Sequence, residues 1–314
     1  MKTMKIEGNY CRLEIGSILE GGFQAYLKTF ENQKIVILVD ENTHDYCLEY
    51  LITSFPELER AEIMLLPCGE ENKVMEVCFQ VWNALSEYRI GRKDLIINLG
   101  GGLVTDMGGF IASVFKRGVD FIHIPTSLLG MVDASLGGKT GIDLGPFKNQ
   151  LGTFTDAQKI YIDPIFLKTL PEAEIWNGYA EMLKHALISD ATHWVELARI
   201  SNAEELIVLD LIKQSAEIKM HLVNQDPTEN GIRKLLNFGH TIGHAIEGFS
   251  LEKDQPIAHG HAVAIGILLE SQLSNRRGVL SDRDFQEIQK VIKEKFPLVS
   301  LETEAELDEL IAIT

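Results

Sequence analysis

The chain has 314 residues, 45% of them hydrophobic and 24% charged, which is typical of a globular protein and long enough for two domains. Its 46 acidic and 29 basic residues give a net charge of −17, which disfavours non-specific binding of nucleic acid. No apolar run could span a membrane, the N-terminal residues lack an apolar signal segment and the four cysteines form no CxxC pair, so we expect a cytoplasmic enzyme without disulfides or a thiolate metal site.

The first half of the chain alternates short apolar runs with helical patterns. Runs rich in Ile, Val and Leu are typical of buried strands, and they occur at residues 34–40, 61–67, 94–102, 119–125 and 159–163. Helical periodicity occupies residues 43–54, 73–88 and 104–116. This alternation predicts a parallel sheet with helices on its faces. The glycine-rich segment 136–152 is predicted to be a long functional loop.

After Pro171 helical periodicity dominates and no convincing strand remains. The predicted helices span residues 173–188, 203–224, 232–249, 260–276 and 282–296. The predicted fold class is therefore an α/β domain of the nucleotide-binding type over residues 1–165, followed by an all-α domain over residues 166–314. We expect ligands in the cleft between the two domains, beyond the carboxyl ends of the strands.

The run Gly100-Gly101-Gly102 ends a predicted strand and opens a predicted helix that carries Asp106. Glycines at such a junction let a pyrophosphate approach the backbone at a helix N-terminus. The fingerprint GxGxxG is not met, because Thr105 stands in place of its third glycine, so a tight strand-to-helix turn is the alternative. Charged residues also follow two other predicted strands, at Asp40, Glu70 and Lys73. A carboxylate there could hold a ribose, although it could equally cap a helix.

A polar, glycine-rich stretch follows the predicted strand 119–125. Its polar side chains are Thr126, Ser127, Asp133, Lys139, Lys148 and Asn149. So many glycines, lysines and amide or carboxylate groups close together favour a cradle for an anion over a structural turn. Gly137-Gly138 before Lys139-Thr140 is superficially similar to a Walker A ending. The upstream glycine is missing at the required spacing and no strand leads straight in, which excludes a P-loop.

The metal candidates are one carboxylate and four histidines, namely Glu181, His240, His244, His259 and His261. His240 and His244 are four residues apart and therefore share one face of a helix. Two histidines, a carboxylate and an open position are typical of catalytic Zn²⁺, but spacing alone leaves open which histidines are the ligands. Thr241 occupies the position of the HExxH glutamate, which argues against a zincin protease.

Arg233, Asn237, His240 and His244 recur at helical spacing and are predicted to form one stripe of a helix. The apolar and small residues between them predict that this helix is buried, and a buried polar stripe is costly unless it serves a ligand. A solvated helix face is the alternative. The basic side chains that could together hold a phosphate or carboxylate are Lys139, Lys148, Lys184, Lys219 and Arg233.

These motifs together resemble the 3-dehydroquinate synthase family. The matching segments are GGGLVTDMGGF at 100–110, KRGVDFIHIPTSLLGMVDASLGGKTGI at 116–142, KNQLGTF at 148–154, GYAEMLKHALI at 178–188 and RKLLNFGHTIGHAIE at 233–247. The resemblance implies a Rossmann-like N-terminal domain, a helical C-terminal domain and a homodimer. It implies conversion of 3-deoxy-D-arabino-heptulosonate 7-phosphate to 3-dehydroquinate in the shikimate pathway, which leads to chorismate and the aromatic amino acids, with NAD⁺ and Zn²⁺ or Co²⁺.

The resemblance also implies roles for individual residues. The metal ligands would be Glu181, His240 and His259. The groups around the substrate would be Asp133, Lys139, Asn149, Lys184, Lys219, Arg233, Asn237 and His244. The groups around NAD⁺ would be Asp40, Glu70, Lys73, Gly101, Gly102, Asp106, Thr126, Ser127, Lys148, Thr169 and Glu174. Arg117, near the subunit interface, would reach the substrate phosphate of the neighbouring subunit.

The chain departs from the family pattern at a few positions. His261 stands where the family commonly has an acidic residue, which adds a rival ligand or changes the surroundings of the metal. The segment Asp226 to Glu229 replaces the usual acidic pair, and family members continue beyond the position of Thr314 with a lysine-bearing segment. The alternatives are another sugar phosphate cyclase of the 2-deoxy-scyllo-inosose synthase type, a metal-dependent polyol dehydrogenase, or a non-catalytic relative if that segment is absent.

Overall fold

The computed structural model describes residues 4–7, 12–145, 147–253 and 255–298. The chain forms two compact units, one from Met1–Leu170 with Ile207–Asn224 and the other from Pro171–Leu206 with Gln225–Thr314. The segment Ile207–Asn224 lies in the predicted second domain by sequence, yet its contacts place it in the first unit. The domain boundary predicted between residues 165 and 166 stays a prediction.

The first unit is built on a sheet in the order β1-β2-β9-β6-β5-β3-β4. β1 pairs antiparallel with β2, and the six remaining strands from β2 to β4 run parallel. The strands are β1 Met4–Glu7, β2 Arg12–Ile15, β3 Ile35–Asp40, β4 Glu62–Leu66, β5 Leu95–Gly100, β6 Asp120–Pro125 and β9 Lys159–Ile162. The central strands are buried, as their continuous Ile, Val and Leu runs require. The predicted parallel α/β architecture is confirmed.

The helices of the first unit bury apolar faces, and all but α8 lie between strands in the chain. They are α1 Phe23–Leu27, α2 Glu41–Thr43, α3 Glu49–Ser54, α4 Met75–Glu87, α5 Gly102–Val114 and α8 Leu209–Gln225. On α4, Val77, Cys78, Val81 and Leu85 recur at helical spacing and are buried. The helix predicted over residues 43–54 is divided by a π-helical segment at His44–Leu48.

The loop predicted over residues 136–152 is wrong, because most of it forms a β-hairpin. Strands β7 Lys139–Leu144 and β8 Phe147–Phe154 pair antiparallel. Gly141 and Gly152 face each other across the pair, and a Cβ on Gly141 would lie 2.9 Å from the carbonyl oxygen of Leu151. These glycines allow two backbones to approach closely within a sheet.

The second unit is helical, and its described residues contain no strand. Its helices are α6 Glu172–Ser189, α7 Ala191–Leu197, α9 His240–Glu252, α10 His259–Arg276 and α11 Asp282–Lys295. Short 3-10 turns at Ala203–Leu206 and Ile232–Asn237 precede α8 and α9 respectively.

The single helix predicted over residues 232–249 is wrong, because α9 begins only at His240. Gly239 adopts φ +81°, a conformation that breaks a helix and favours glycine. It also packs against α10, where an added Cβ would lie 2.9 Å from the carbonyl oxygen of Val263. Arg233 and Asn237 therefore do not share one helical stripe with the two histidines.

Three of the four cysteines lie among the described residues. Cys47, Cys68 and Cys78 are free thiols, whereas Cys11 lies outside the described residues. None of the helices that the structure describes is both long and apolar enough to cross a bilayer.

A buried polar pair joins the middle of the sheet. Asn98 on β5 and His123 on β6 are cross-strand partners, with 3.2 Å between Asn98 Nδ2 and His123 Nδ1. Because an amide nitrogen can only donate, His123 accepts through Nδ1 in its neutral form. Burial lowers the pKa of His123 from 6.5 to about 3.

We expect this histidine to make the protein less stable in mild acid. The unfolded chain binds a proton at His123 below pH 6.5 while the native chain does not, so the free energy of unfolding falls as the pH drops from 6.5 towards 3. Between pH 7 and pH 5 the loss from this residue is about 2 kcal/mol. Urea unfolding at both pH values should show this loss in the wild type and in a His44→Asn control, but not in His123→Asn. Equal losses in all three proteins would contradict the assignment.

Candidate active site

The carboxyl ends of β3 and β5 form the place in the first unit where a nucleotide would bind. From β3 the chain continues to β4 on one side of β3, and from β4 it crosses to β5 on the other side. The strand order therefore reverses between β3 and β5. Asp40 ends β3, and Gly101 is the N-cap of α5 directly after β5. A Cβ on Gly101 would lie 3.3 Å from Ser127 Oγ, so bare backbone is kept at this helix N-terminus. The N–H groups at the start of this helix belong to partly buried residues and suit a pyrophosphate.

Asp40 also caps α2. Its Oδ1 accepts from the backbone N–H of Thr43 at 2.7 Å and from Thr43 Oγ1 at 2.9 Å. The helix-cap role that the sequence left open is therefore present. This cap does not exclude a cofactor contact, because it uses Oδ1 and not Oδ2, and the side chain is only partly buried.

Lys73 is the charged centre of this region. Its side chain is 4% exposed, and Nζ lies 2.8 Å from Asp106 Oδ2, 3.4 Å from Glu70 Oε1 and 2.8 Å from Asn149 Oδ1. Burial alone would lower the pKa of Lys73, but Asp106 and Glu70 outweigh it and raise the pKa. Burial in turn raises the pKa of Asp106, although Lys73 opposes the shift. Three of the predicted cofactor residues are thus held in one ionic cluster with a predicted substrate residue.

The other predicted cofactor residues differ in burial and in the unit to which they belong. Thr126 and Ser127 are buried at the end of β6, where Thr126 N–H donates to the carbonyl oxygen of Gly100 and Ser127 Oγ accepts from Gly130 N–H. Lys148 and Thr169 are exposed. Glu174 belongs to the second unit, on α6, and accepts from Asn177 Nδ2 at 3.1 Å.

A second ion pair in the first unit joins two predicted substrate residues. Lys219 on α8 donates to Asp133 Oδ1 at 2.8 Å and to the Asp133 carbonyl oxygen at 2.7 Å. Lys139 is exposed at the start of β7. Arg117 is also exposed and has φ +66°, in a short turn after α5 where Lys116 has φ +51°. Two consecutive non-glycine residues in this conformation are unusual, and such strain often marks a functional segment.

The second unit brings together the metal candidates from three helices. Glu181 on α6 is fully buried, and its Oε1 lies 3.5 Å from Nε2 of His240 and 3.7 Å from Nε2 of His259. Donor atoms bound at about 2.0–2.2 Å around a tetrahedral zinc ion lie about 3.3–3.6 Å apart. The 3.5 Å spacing falls within this range and the 3.7 Å spacing lies just above it, and the donor types suit a Zn²⁺ or a similar ion.

One outer carboxylate contacts His259, and a second one holds the backbone just before α9. Glu247 Oε2 lies 3.2 Å from Nδ1 of His259, and the Gly239 N–H before α9 donates to Glu270 Oε2 at 3.0 Å. A carboxylate on the far ring nitrogen fixes the tautomer of a metal-binding histidine. We did not predict a role for Glu247 or Glu270. Glu247 could have been found from its position three residues after His244, on the same helix.

His244 lies beside the other metal candidates, whereas His261 has other neighbours. The ring of His244 lies 5.3 Å from that of His240 and 5.6 Å from that of His259, and the ligand atoms of these three histidines lie within 4.8 Å of one another. The division between metal ligands and a substrate-facing His244 therefore stays a prediction. His261 instead contacts the carbonyl oxygen of Pro297 through Nε2, and its ring lies 5.9 Å from that of Phe296 in a tilted arrangement.

Two basic residues of the second unit are buried. Lys184 is 1% exposed and forms an ion pair with Glu181, one turn before it on α6. Arg233 is 2% exposed, and its guanidinium donates to the carbonyl oxygen of Pro227 at 2.6 Å. Asp226 closes this loop by accepting backbone N–H groups, including that of Arg233 at 3.1 Å. Asn237 is exposed at the end of the 3-10 turn.

Comparison with family models and with known proteins points to one family. The model of the 3-dehydroquinate synthase N-terminal domain matches residues 63–177, and that of the C-terminal domain matches residues 178–313. The 3-dehydroquinate synthase of Parabacteroides distasonis is 42% identical over 281 residues, which cover 89% of this chain and 79% of that protein. That of Sulfurovum sp. is 38% identical over 284 residues, or 90% of this chain and 79% of that protein.

Solved structures agree on the fold. A 2-epi-5-epi-valiolone synthase from Streptomyces hygroscopicus, solved with NAD⁺ and Zn²⁺ bound, has a TM-score of 0.84 and 27% identity over 98% of this chain and 86% of that one. A 2-deoxy-scyllo-inosose synthase solved with carbaglucose-6-phosphate, NAD⁺ and Co²⁺ has a TM-score of 0.84 and 23% identity over 99% of this chain and 86% of that one. The family models together match most of the chain, which belongs to the 3-dehydroquinate synthase family of enzymes.

Proposed function

We propose that the chain is a lyase that converts 3-deoxy-D-arabino-heptulosonate 7-phosphate to 3-dehydroquinate and inorganic phosphate, with NAD⁺ and Zn²⁺ or Co²⁺ as cofactors. The observation that carries the proposal is the convergence of Glu181, His240 and His259 in a chain of this family. The product belongs to the shikimate pathway of aromatic amino acid biosynthesis. The cytoplasmic location stays a prediction.

When bound, the two cofactors supply a Lewis acid for a substrate hydroxyl and a reversible hydride acceptor, which together make the neighbouring C–H acidic enough for β-elimination of phosphate. The protein holds these groups in place. Glu181, His240 and His259 would coordinate the ion, and Glu247 would keep His259 in the tautomer that leaves Nε2 available. Asp40, Gly101, Gly102 and the ionic cluster of Lys73 with Asp106 and Glu70 would hold the dinucleotide.

The remaining polar residues would bind the two anionic ends of the substrate. Lys184, Lys219 and Arg233 are at most 7% exposed, and buried cations bind phosphate and carboxylate more strongly than exposed ones. Each side chain forms an ion pair or a hydrogen bond with a neighbouring residue. Its position is therefore fixed before the substrate binds. His244, Asn237, Lys139, Asp133 and Asn149 would supply further hydrogen bonds.

Substrate choice tests this function against the alternatives. Metal-loaded protein with NAD⁺ is incubated with the heptulosonate phosphate and, separately, with glucose 6-phosphate, and phosphate release is followed. We expect kcat/KM to be at least about a hundredfold higher for the heptulosonate, because pockets built to pair with a carboxylate reject analogues that lack it. Equal or faster turnover of glucose 6-phosphate would favour an inosose synthase. Net NADH production would favour a polyol dehydrogenase. Absence of turnover with either sugar would favour a non-catalytic relative.

We further propose that the enzyme is a homodimer in which Arg117 serves the neighbouring subunit's substrate. Its exposure and its backbone conformation support this role. Arg117→Ala is expected to raise the KM for substrate about tenfold to a hundredfold, the usual cost of one charge-assisted phosphate contact. Lys116→Ala, at an exposed neighbour, is the matched control.

Mixing two defective chains tests the sharing directly. In a mixed dimer of Arg117→Ala and His240→Ala chains, one site combines an intact metal set with an intact Arg117. After unfolding and refolding together, the mixture should recover about a quarter of wild-type activity at low substrate concentration, since half of the dimers are mixed and each has one complete site. Activity that remains at the average of the separate variants would show that Arg117 acts within its own subunit.

A further inference from the structure

The turn of the β7–β8 hairpin ties together two residues of the proposed site. Asp143, near the end of β7, accepts the backbone N–H of Asn149 through Oδ1 at 2.6 Å. The backbone N–H of Asp143 itself donates to the carbonyl oxygen of Lys73 at 2.8 Å. Lys73 Nζ closes the ring by donating to Asn149 Oδ1 at 2.8 Å. Asp143 is therefore bonded to a residue of the proposed cofactor site and to a residue of the proposed substrate site.

This ring fixes the orientation of the Asn149 amide. An ammonium group can only donate, so the oxygen of the Asn149 amide must face Lys73. The Nδ2 group then points away from Lys73 and offers two N–H donors. Asn149 is exposed, so these donors are available to a ligand. They suit a carboxylate, phosphate or hydroxyl oxygen.

The backbone of Asn149 needs support to hold this orientation. Its φ is +52°, a conformation that asparagine tolerates better than most residues but still at some cost. The pairing of β7 with β8 is irregular here, since Ile142 pairs with Leu151 while Leu144 pairs with Phe147. More residues of β8 than of β7 lie between these pairs, which makes a bulge opposite Asp143. Bulges of this kind often redirect a side chain beside an active site.

We propose that Asp143 is a positioning residue that holds Asn149 in this bulge, so that the Asn149 amide donates to an oxygen of the substrate. This inference rests on the proposed function. Asp143 does not touch the substrate and acts through the N–H of Asn149. Its carboxylate also contributes to the raised pKa of Lys73, but Lys73 keeps Asp106 and Glu70 without it. Loss of Asp143 is therefore expected to affect the substrate and largely spare NAD⁺.

The test compares Asp143→Ala, Asp143→Asn and Asp143→Glu in the metal-loaded protein. The readouts are kcat and KM for the heptulosonate phosphate, the Kd for NAD⁺ and the melting temperature. Asp143→Ala should raise the substrate KM about tenfold, the cost of one hydrogen bond to a charged group, while the Kd for NAD⁺ changes less than about twofold. Asparagine keeps the acceptor at the same distance and should restore KM to within about threefold of wild type, whereas glutamate displaces the acceptor and should not.

A double-mutant cycle distinguishes positioning from a general structural role. If Asp143 acts through Asn149, Asp143→Ala should have no further effect on KM in an Asn149→Ala background. An additive effect, or an unchanged KM in Asp143→Ala, would overturn the inference. If Asp143→Ala fails to fold, the asparagine and glutamate variants decide it, and equal KM values for those two would overturn it. Failure of the wild type to release phosphate would instead contradict the proposed function.

Discussion

His240→Ala is expected to lower kcat/KM for phosphate release by about a thousandfold and to remove the metal from the purified protein. His240 is one of three donors whose spacing fits a single ion, with 3.5 Å between its Nε2 and Glu181 Oε1. Removing one of three protein ligands leaves too few donors to hold a catalytic zinc ion. A Lewis acid contributes several kcal/mol to stabilisation of a reaction's transition state, and about 4 kcal/mol corresponds to a thousandfold in rate.

The experiment measures metal content by mass spectrometry beside the rate. His44→Ala is the matched control, because His44 is an exposed histidine in the first unit, with a side chain that is 50% exposed. The control should keep both metal and activity. Glu181→Ala and His259→Ala should reproduce the loss, while His244→Ala should lower activity but keep the metal. A His240→Ala protein that retains stoichiometric metal would contradict this ligand set, and loss of metal in His244→Ala would make His244 a ligand.

The second large effect is expected for Lys184→Met, on stability. Lys184 and Glu181 form an ion pair in which the two side chains are 1% and 0% exposed. Methionine preserves the length and most of the volume of lysine but leaves the carboxylate of Glu181 buried without that cation. Breaking one partner of a buried pair typically costs about 3–5 kcal/mol. We expect the free energy of unfolding of the metal-free protein to fall by this amount in urea titrations.

Metal binding should reverse part of this loss, because a divalent ion at Glu181 replaces the missing positive charge. Lys290→Met is the matched control: Lys290 and Glu294 form a helical ion pair at 3.9 Å with exposed side chains, and such pairs contribute about 0–1 kcal/mol. Lys184→Met and Lys290→Met with equal stability would show that the buried pair is not a structural element. A loss in Lys184→Met that excess Zn²⁺ leaves unchanged would place the metal away from Glu181.

The sheet was predictable from the sequence because its central strands are buried on both faces. Continuous runs such as Ile35–Asp40 and Leu95–Gly100 carry an unmistakable apolar signal. The β7–β8 hairpin was missed because its glycines indicate a loop when taken alone. Their role in close backbone contact depends on Gly141 facing Gly152, a pairing that local sequence does not reveal. The break at Gly239 was missed for the same reason, since it depends on packing against α10.

The proposed site was predictable in its composition and only partly in its geometry. The spacing of His240 and His244 correctly placed both on one helix, α9. Spacing could not join them to Glu181, which lies far away along the chain and is brought close only by the packing of α6. The contact between Lys73 and Asn149, 76 residues apart, was equally inaccessible. Such contacts depend on the tertiary fold. Only the family resemblance predicted that these residues serve one active site.

The most direct test of the proposed function is the balance of products. Wild-type protein, loaded with Zn²⁺ or Co²⁺ and supplied with NAD⁺, is incubated with 3-deoxy-D-arabino-heptulosonate 7-phosphate, and phosphate, 3-dehydroquinate and NADH are measured together. We predict equal amounts of phosphate and 3-dehydroquinate with no accumulation of NADH, because the hydride is returned within each turnover. NADH that accumulates in proportion to product, or phosphate release without 3-dehydroquinate, would contradict the proposed function.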